Sequence, residues 1–515
     1  MSKSLFKSTS VVIGMTMISR VFGFIRDMVT ASYFGAGAVF DAFSAAFKIP
    51  NFMRRLFAEG SFSQAFVPVL SEYQKQRSKE DMQRFLNATA GTLGLALLIV
   101  TILGMIFAPA IIRVFTPGFA VDGERFDLAV TMLRINFPYL FFVSLTAFSG
   151  AILNTHSRFW VAAFTPVFLN ICMIAATIWL SPQMTQPIIA LAWGVFIAGI
   201  IQLLFQWPFL RHLRLLPIPK INFRDAGVRR VLKLMVPGLF GVSVGQINLL
   251  VDTIFASLLV VGSISWLHYS DRLMEFPLGV FGVAISTVIL PNLSRHHASQ
   301  SHQSFSMTID WALRLVLLIG VPAGVVLAAM SGPLLSTLFQ HGVFSGHSVI
   351  MASKSLTMFA IGITPFMLVK ILAAGFYAKQ DMRTPVRIGV VAMVSNMILN
   401  GLLIWPLAHA GIALATSLSA LINCGGLFYF LRKKNLFQAR EGWILFSLRL
   451  MTANVILMLW LWWGAGSVND WINQDTLWRV GHLAFLLVTA VLIYFAALWI
   501  LGIRIHHFLI REQVL

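Results

Sequence analysis

The chain has 515 residues, 58% of them apolar and only 11% charged, under half the charged share of a soluble domain. Lys and Arg outnumber Asp and Glu 38 to 19, for a net charge of +19, and the two cysteines, Cys172 and Cys424, stand far apart in apolar runs. These figures exclude a soluble enzyme, a disordered chain and a disulfide scaffold. They also make the basic excess a matter of membrane sidedness, not of nucleic acid.

Taken in chain order, apolar stretches of the ~20 residues needed to cross a bilayer fall at 9–33, 37–57, 86–109, 128–152, 160–180, 187–209, 235–260, 266–290, 310–330, 352–376, 385–405, 411–431, 443–463 and 477–502. The runs are long, continuous and rich in Leu, Ala, Phe and Met, which predicts helices and not strands. The second and eighth continue into shorter helical extensions. The expected fold is an all-α integral membrane protein of about fourteen transmembrane helices.

Loop charge gives an independent check. Lys75, Arg77, Lys79 and Arg84 follow the second span, and Arg211, Arg214, Lys220, Arg224, Arg229, Arg230 and Lys233 follow the sixth. Lys379 and Arg383 follow the tenth; Arg432, Lys433, Lys434 and Arg440 follow the twelfth. The intervening loops 181–186, 261–265, 331–347, 405–411 and 464–476 hold no Lys or Arg. Only 110–127 departs, with Arg113 and Arg125 set against three acids. Basic loops stay in the cytoplasm, so both termini are predicted there. The opening apolar run is short, is followed by Arg20 and Arg26 and lacks a clear small-residue cleavage site, so the first span reads as uncleaved.

The chain also repeats itself. Ile189-Ala190-Leu191-Ala192 and Phe209-Leu210-Arg211 recur as Ile412-Ala413-Leu414-Ala415 and Phe430-Leu431-Arg432, 221–223 residues on. Pro68-Val69-Leu70-Ser71 recurs as Pro291-Asn292-Leu293-Ser294, and Asp27, Ala31 and Ser32 as Asp252, Ala256 and Ser257. The offset spans six helices, an even number, so both copies keep one orientation, as parallel repeats do. The expected organisation is a six-helix bundle over 1–225, a second over 226–437, and an extra two-helix unit with a cytoplasmic tail over 438–515.

An Arg, Lys or Asp at a helix centre costs roughly 2.5–3.5 kcal/mol in lipid. The first span nevertheless holds Arg20, Arg26 and Asp27; the second holds Asp41, Lys48, Arg54 and Arg55 before Glu59; the eighth holds Asp271, Arg272 and Glu275. The economical arrangement is a shared, water-filled central cavity lined by these groups. Arg20 and Asp27 lie two turns apart on one face, and Asp41, Lys48 and Arg55 form a sevenfold stripe. An excess of guanidinium suits an anionic ligand, since the planar fork binds phosphate oxygens bidentately. Arg134, Arg314 and Arg449 lack such company and read as anchors near the membrane boundary.

Enzyme signatures are weak. Gly35-Ala36-Gly37 does not continue as a dinucleotide fingerprint, there is no P-loop, and the His residues lack metal-ligand spacing, so no metal or cofactor is expected. His296 and His297 read as solvated loop residues. Glycosyl transfer by Asp27, Asp41 or Glu59 stays open on carboxylates alone, although each has a cation nearby. A passive scaffold would tolerate neutralisation of the whole cluster.

The stretches Ser19-Arg20-Val21-Phe22-Gly23-Phe24-Ile25-Arg26-Asp27, Pro50-Asn51-Phe52-Met53-Arg54-Arg55-Leu56-Phe57-Ala58-Glu59-Gly60 and Asp271-Arg272-Leu273-Met274-Glu275-Phe276-Pro277 closely resemble the MurJ (MviN) lipid II flippases. These belong to the multidrug/oligosaccharidyl-lipid/polysaccharide exporter superfamily, and the similarity runs over essentially the whole chain. The resemblance implies movement of the lipid-linked peptidoglycan precursor from the cytoplasmic to the periplasmic leaflet of the bacterial inner membrane. It implies Arg20, Arg26, Arg54 and Arg272 as substrate-binding residues, with Asp41 and Glu59 as supporting acids beside Asp27, Arg55 and Glu275. It also implies a groove by the last two spans for the polyprenyl tail, lipid II and the bilayer as partners, and an association with cell-wall synthesis machinery. An exporter of another lipid-linked oligosaccharide is the nearest alternative.

Overall fold

Within hydrocarbon a backbone amide finds no water, so a long apolar run satisfies its polar groups only by closing on itself as a helix. The computed structural model describes residues 3–56, 62–120, 123–279, 289, 293–295 and 301–504, with backbone alone at 3–10, 13 and 237–245. Nine of the described helical stretches, one of them the run Phe159–Gln183 made of several short helices in succession, are long and apolar enough to cross a membrane, and no strand occurs among the described residues. Glu59, Pro291, Asn292, His296, His297 and the tail 505–515 lie outside the described residues.

The chain packs into two compact units, Met1–Ile264 and Ser265–Leu515. The first unit begins with α1 (Lys3–Phe34), α2 (Ala38–Arg54), α3 (Ser63–Gln76) and α4 (Lys79–Ile106). It continues through α5 (Ala108–Phe115), α6 (Glu124–Thr155), α7 (Phe159–Phe164), α8 (Pro166–Ala175), α9 (Ile189–His212) and α10 (Ala226–Ser257). Its core is aromatic. Phe62 and Phe66 stack at 5.1 Å, Phe66 lies 5.6 Å from Phe85, and Phe148 closes on Phe66 at 5.1 Å, tying α3, α4 and α6 together.

Two close approaches fix where the connecting loops lie. Lys220 N donates to Asn87 O (2.9 Å) and Ile218 N to Asn87 Oδ1 (2.8 Å), pressing the loop after α9 onto α4. A Cβ at Gly91 would sit 2.4 Å from the Lys220 carbonyl carbon, so only glycine allows that approach. Likewise Gly118 N donates to Ser257 Oγ (3.2 Å), and a Cβ on Gly118 would meet Ser257 O at 2.0 Å.

The second unit takes up α11 (Ser263–Pro277), then α12 (His302–Ala329), α13 (Ser331–Phe339), α14 (Gly346–Ala378) and α15 (Arg383–Lys433). It ends with α16 (Trp443–Ala465), α17 (Val468–Asn473) and α18 (Thr476–Ile500). Hydropathy predicts two spans where α15 runs, and the structure breaks it at Ala408 (φ 49°, ψ −131°), two residues after Pro406. A Cβ on Gly411 would fall 2.2 Å from Leu403 O. Eight residues along a straight helix would separate these positions by about 12 Å. The chain therefore folds back here, in the stretch predicted as a loop.

Candidate substrate-binding site

The charges of α1 have two different fates in the first unit. Arg26 is 7% exposed and Asp27 4%; Arg26 Nη2 lies 2.6 Å from Asp27 Oδ1, and its Nη1 donates to Asn170 Oδ1 at 3.1 Å. Asn170 in turn donates to Ser19 O at 3.1 Å, lacing α8 to α1. Arg20 is half-buried and makes no ion pair or hydrogen bond among the described residues. It lines a recess of ≈370 Å³ with Thr16, Ser19, Asn154 and Pro166.

That recess shares Asn154, Ala162 and Pro166 with a larger cleft of ≈450 Å³. Arg54, from the end of α2, lines the larger cleft together with Thr146, Asn154, Thr165, Gln202 and Gln206. Arg54 donates to Asn51 Oδ1 through Nε (3.1 Å) and Nη2 (2.8 Å), which fixes its head one turn back on α2. Two guanidinium groups thus border a hollow made of two adjoining clefts that share wall residues inside the first unit. Such a pair attracts anionic oxygens and, where water is scarce, holds them more strongly than at a surface.

The rest of the α2 stripe contacts the far end of the unit. Asp41 is 1% exposed and accepts from Gly262 N at 2.7 Å, immediately before α11 begins. Lys48 Nζ donates to Thr253 Oγ1 on α10 at 3.0 Å. Arg55 is half-buried just past the end of α2.

In the second unit Arg272 Nη1 meets Glu275 Oε2 at 3.0 Å, one turn along α11, both side chains partly exposed. Arg314, expected to be an isolated anchor, instead pairs with buried Asp310 at 2.9 Å and lies over the Trp443 ring at 4.9 Å. Asp310 also accepts from Trp443 Nε1 at 2.7 Å. Spacing alone missed this pairing, because Trp443 comes 129 positions after Arg314, although the i, i+4 Asp–Arg pair was legible. Among the described residues no three His, Cys, Asp or Glu side chains gather as a metal would need.

The structure therefore brings Arg20 and Arg54 to one hollow, pairs Arg26 with Asp27, and sets Asp41 on a backbone amide. It also adds residues that a search for charge overlooks: Gln202 and Gln206, one turn apart on α9 and both buried, and Asn154 on α6. The available signal was two neutral amides at i, i+4 within an otherwise apolar span.

By fold the chain is an all-α, multi-pass membrane protein. It superposes on an inward-facing multidrug resistance MATE family transporter of the MOP superfamily with a TM-score of 0.68 over 82% of this chain and 97% of that one, at 13% identity, a likeness of fold alone. Residues 30–482 match the family model for lipid II flippase MurJ, and the chain belongs to that family. It is 48% identical to the probable lipid II flippase MurJ of Haemophilus influenzae, covering 97% of this chain and all of that protein. It is 39% identical to the lipid II flippase MurJ of Burkholderia cenocepacia, over 99% and 100%. A solved lipid II flippase MurJ in an inward closed conformation aligns at a TM-score of 0.79 and 28% identity, covering 94% of this chain and 97% of that one.

Proposed function

We propose that the chain is a lipid II flippase, carrying the polyprenyl diphosphate-linked peptidoglycan precursor across the bacterial inner membrane. The observation that carries this reading is the family match over 30–482, joined to near-full-length identity with proteins of that name. Arg20 and Arg54, bordering one hollow of the first unit, supply its chemistry. Their forked donors grip the diphosphate, with Arg26 and Arg272 as further cationic contacts and Asp27, Asp41, Arg55, Glu59 and Glu275 as the charges that balance them.

The protein acts as a carrier and not as a transferase: the headgroup enters chemically unchanged and leaves unchanged. Access alternates between the two membrane faces, and release follows when the arginines bind the outward state less strongly. In this reading the chain has fourteen spans in two parallel six-helix repeats, 1–225 and 226–437, with an extra pair over 438–515, and the basic loops favour both termini in the cytoplasm. Lipid II and the surrounding bilayer are the direct partners, and the cell-wall synthesis machinery takes the product.

The test is headgroup accessibility in vesicles containing the purified protein and lipid II. Wild-type protein exposes lipid II to an external modifying enzyme faster than empty vesicles do, and Arg20→Ala abolishes the gain. Equal rates with and without wild-type protein sink the proposal. So does loss of polymer synthesis, in a carboxylate variant, with precursor transport intact.

A further inference from the structure

The hollow of the first unit holds more than cations. Gln202 and Gln206 are 3% and 1% exposed, and the side-chain oxygen of each has no hydrogen-bond partner among the described residues. Their orientation is fixed by Thr165. The Thr165 hydroxyl donates to Val161 O at 2.7 Å, leaving its oxygen to accept from Gln206 Nε2 at 3.0 Å. The Thr165 carbonyl, which can only accept, receives Gln202 Nε2 at 3.3 Å. Each amide therefore turns its NH2 to Thr165 and its oxygen away from it. Just beyond Thr165, Pro166 has no N–H to offer the Ala162 carbonyl, and Ala162 lines both recesses.

A buried acceptor without a donor is costly, since it gives up its bonds to water and gains none in return. Two of them in the wall of one cleft, beside guanidinium groups, call for a ligand that brings its own N–H or O–H donors next to an anion. A glycosyl diphosphate has that pattern: hydroxyls and an acylamino N–H on the sugar, negative oxygens on the phosphates. We propose that Gln202 and Gln206 form a neutral subsite that accepts hydrogen bonds from the sugar attached to the diphosphate. This rests on the reading of the hollow as the headgroup site, and it assigns recognition of the sugar to the amides and of the charge to Arg20 and Arg54. Gly150 keeps the subsite open: a Cβ there would lie 3.8 Å from Gln206 Oε1 and no nearer than 3.4 Å to any other residue's atoms, an ordinary contact that still covers the amide.

The experiment measures binding of two probes to the full-length protein in phosphatidylethanolamine–phosphatidylglycerol vesicles: undecaprenyl diphosphate carrying its disaccharide-peptide, and undecaprenyl diphosphate alone. Gln202→Met, Gln206→Met and Gly150→Ala each weaken the glycosylated probe about tenfold and leave the bare diphosphate unchanged. Thermal unfolding of each variant stays close to the wild-type value: each methionine loses one N–H bond to Thr165 and, with it, one buried oxygen that had no donor among the described residues. Arg20→Ala weakens both probes. Equal affinity of the methionine variants and wild type for the glycosylated probe overturns the proposal and assigns the amides to a water-filled structural pocket. Equal weakening of both probes overturns it too. If Arg20→Ala binds both probes as wild type does, the arginine reading of the hollow fails instead.

Discussion

Arg26 Nη2 and Asp27 Oδ1, on consecutive residues of α1, meet at 2.6 Å with both side chains buried. Neighbours on a helix point about 100° apart, so the guanidinium curls around the axis to reach the carboxylate, and Asn170 holds its other edge. Removing one partner from such a pair leaves a bare charge in a dry place. Asp27→Ala is expected to cost about 3–5 kcal/mol and Asn170→Leu about 1–3 kcal/mol. The double replacement Arg26→Met, Asp27→Leu should recover most of the loss. Thermal unfolding in detergent checks the order, and a stable Asp27→Ala variant would show that the pair does not support the fold.

Arg20 should behave in the opposite way. It has no partner among the described residues, so Arg20→Ala should change stability by less than about 0.5 kcal/mol while transport is lost. Arg20→Lys keeps the charge but not the planar fork, and an intermediate rate is expected. Complementation of a depleted strain, with membrane levels measured alongside, separates the two effects.

At Asp41 the structure offers a bond to a backbone amide. Asp41→Asn retains an oxygen acceptor for Gly262 N, whereas Asp41→Ala leaves that donor bare at a cost of about 1–3 kcal/mol. Transport by Asp41→Asn should stay within a few-fold of wild type and Asp41→Ala should fall well below it. Similar losses in both variants would mean that the negative charge, not the acceptor, is what matters.

The loop between α14 and α15 carries a pH-sensitive contact. Burial pushes the Asp381 carboxyl upward, but Lys434 and the Thr384 hydroxyl and N–H outweigh it and hold the carboxyl down at about 2, against an ordinary 3.8. A depressed carboxyl contributes stability that is fully present above pH 3.8 and is lost as pH falls through about 2. Thermal unfolding should decline across that window. The decline should shrink in Lys434→Met and in high salt, because Lys434 is 44% exposed and screened.

Sidedness is open to cysteine labelling. Cys172 and Cys424 are free and partly buried, so both are first replaced by serine. A cysteine at Arg77 should then react with an impermeant maleimide only after the cells are opened. One at Gln183 should react in intact spheroplasts. The reverse pattern would overturn cytoplasmic termini.

Hydropathy made the helices legible because an apolar run in lipid has one way to satisfy its backbone. The break at Ala408 was legible too, as the loop 405–411 between two predicted spans. The site was legible only as a list of charges. Sequence could place Arg20 and Asp27 on one face of α1, but it could not show that Asp27 turns to its neighbour Arg26, leaving Arg20 to the hollow. Nor could it show that Arg314 meets Trp443 across 129 positions, since such a pairing depends on how distant helices pack. Gln202 and Gln206 escaped notice because attention to charge passes over neutral amides, although a buried carbonyl oxygen without a donor is also a costly group.

The closing helix pair is fastened at both ends of its length. At the start of α16, Asp310 holds Trp443 Nε1 and Arg314 donates to Glu441 O at 3.1 Å. At the start of α18, buried Arg479 donates to the carbonyls of Ser336 (3.2 Å), Gln340 (3.3 Å) and Ile472 (2.9 Å). A hairpin moored at bow and stern cannot swing on its own. It travels as a passenger of α12 and α13, so a polyprenyl chain resting along it would move in step with those helices and with no separate clock.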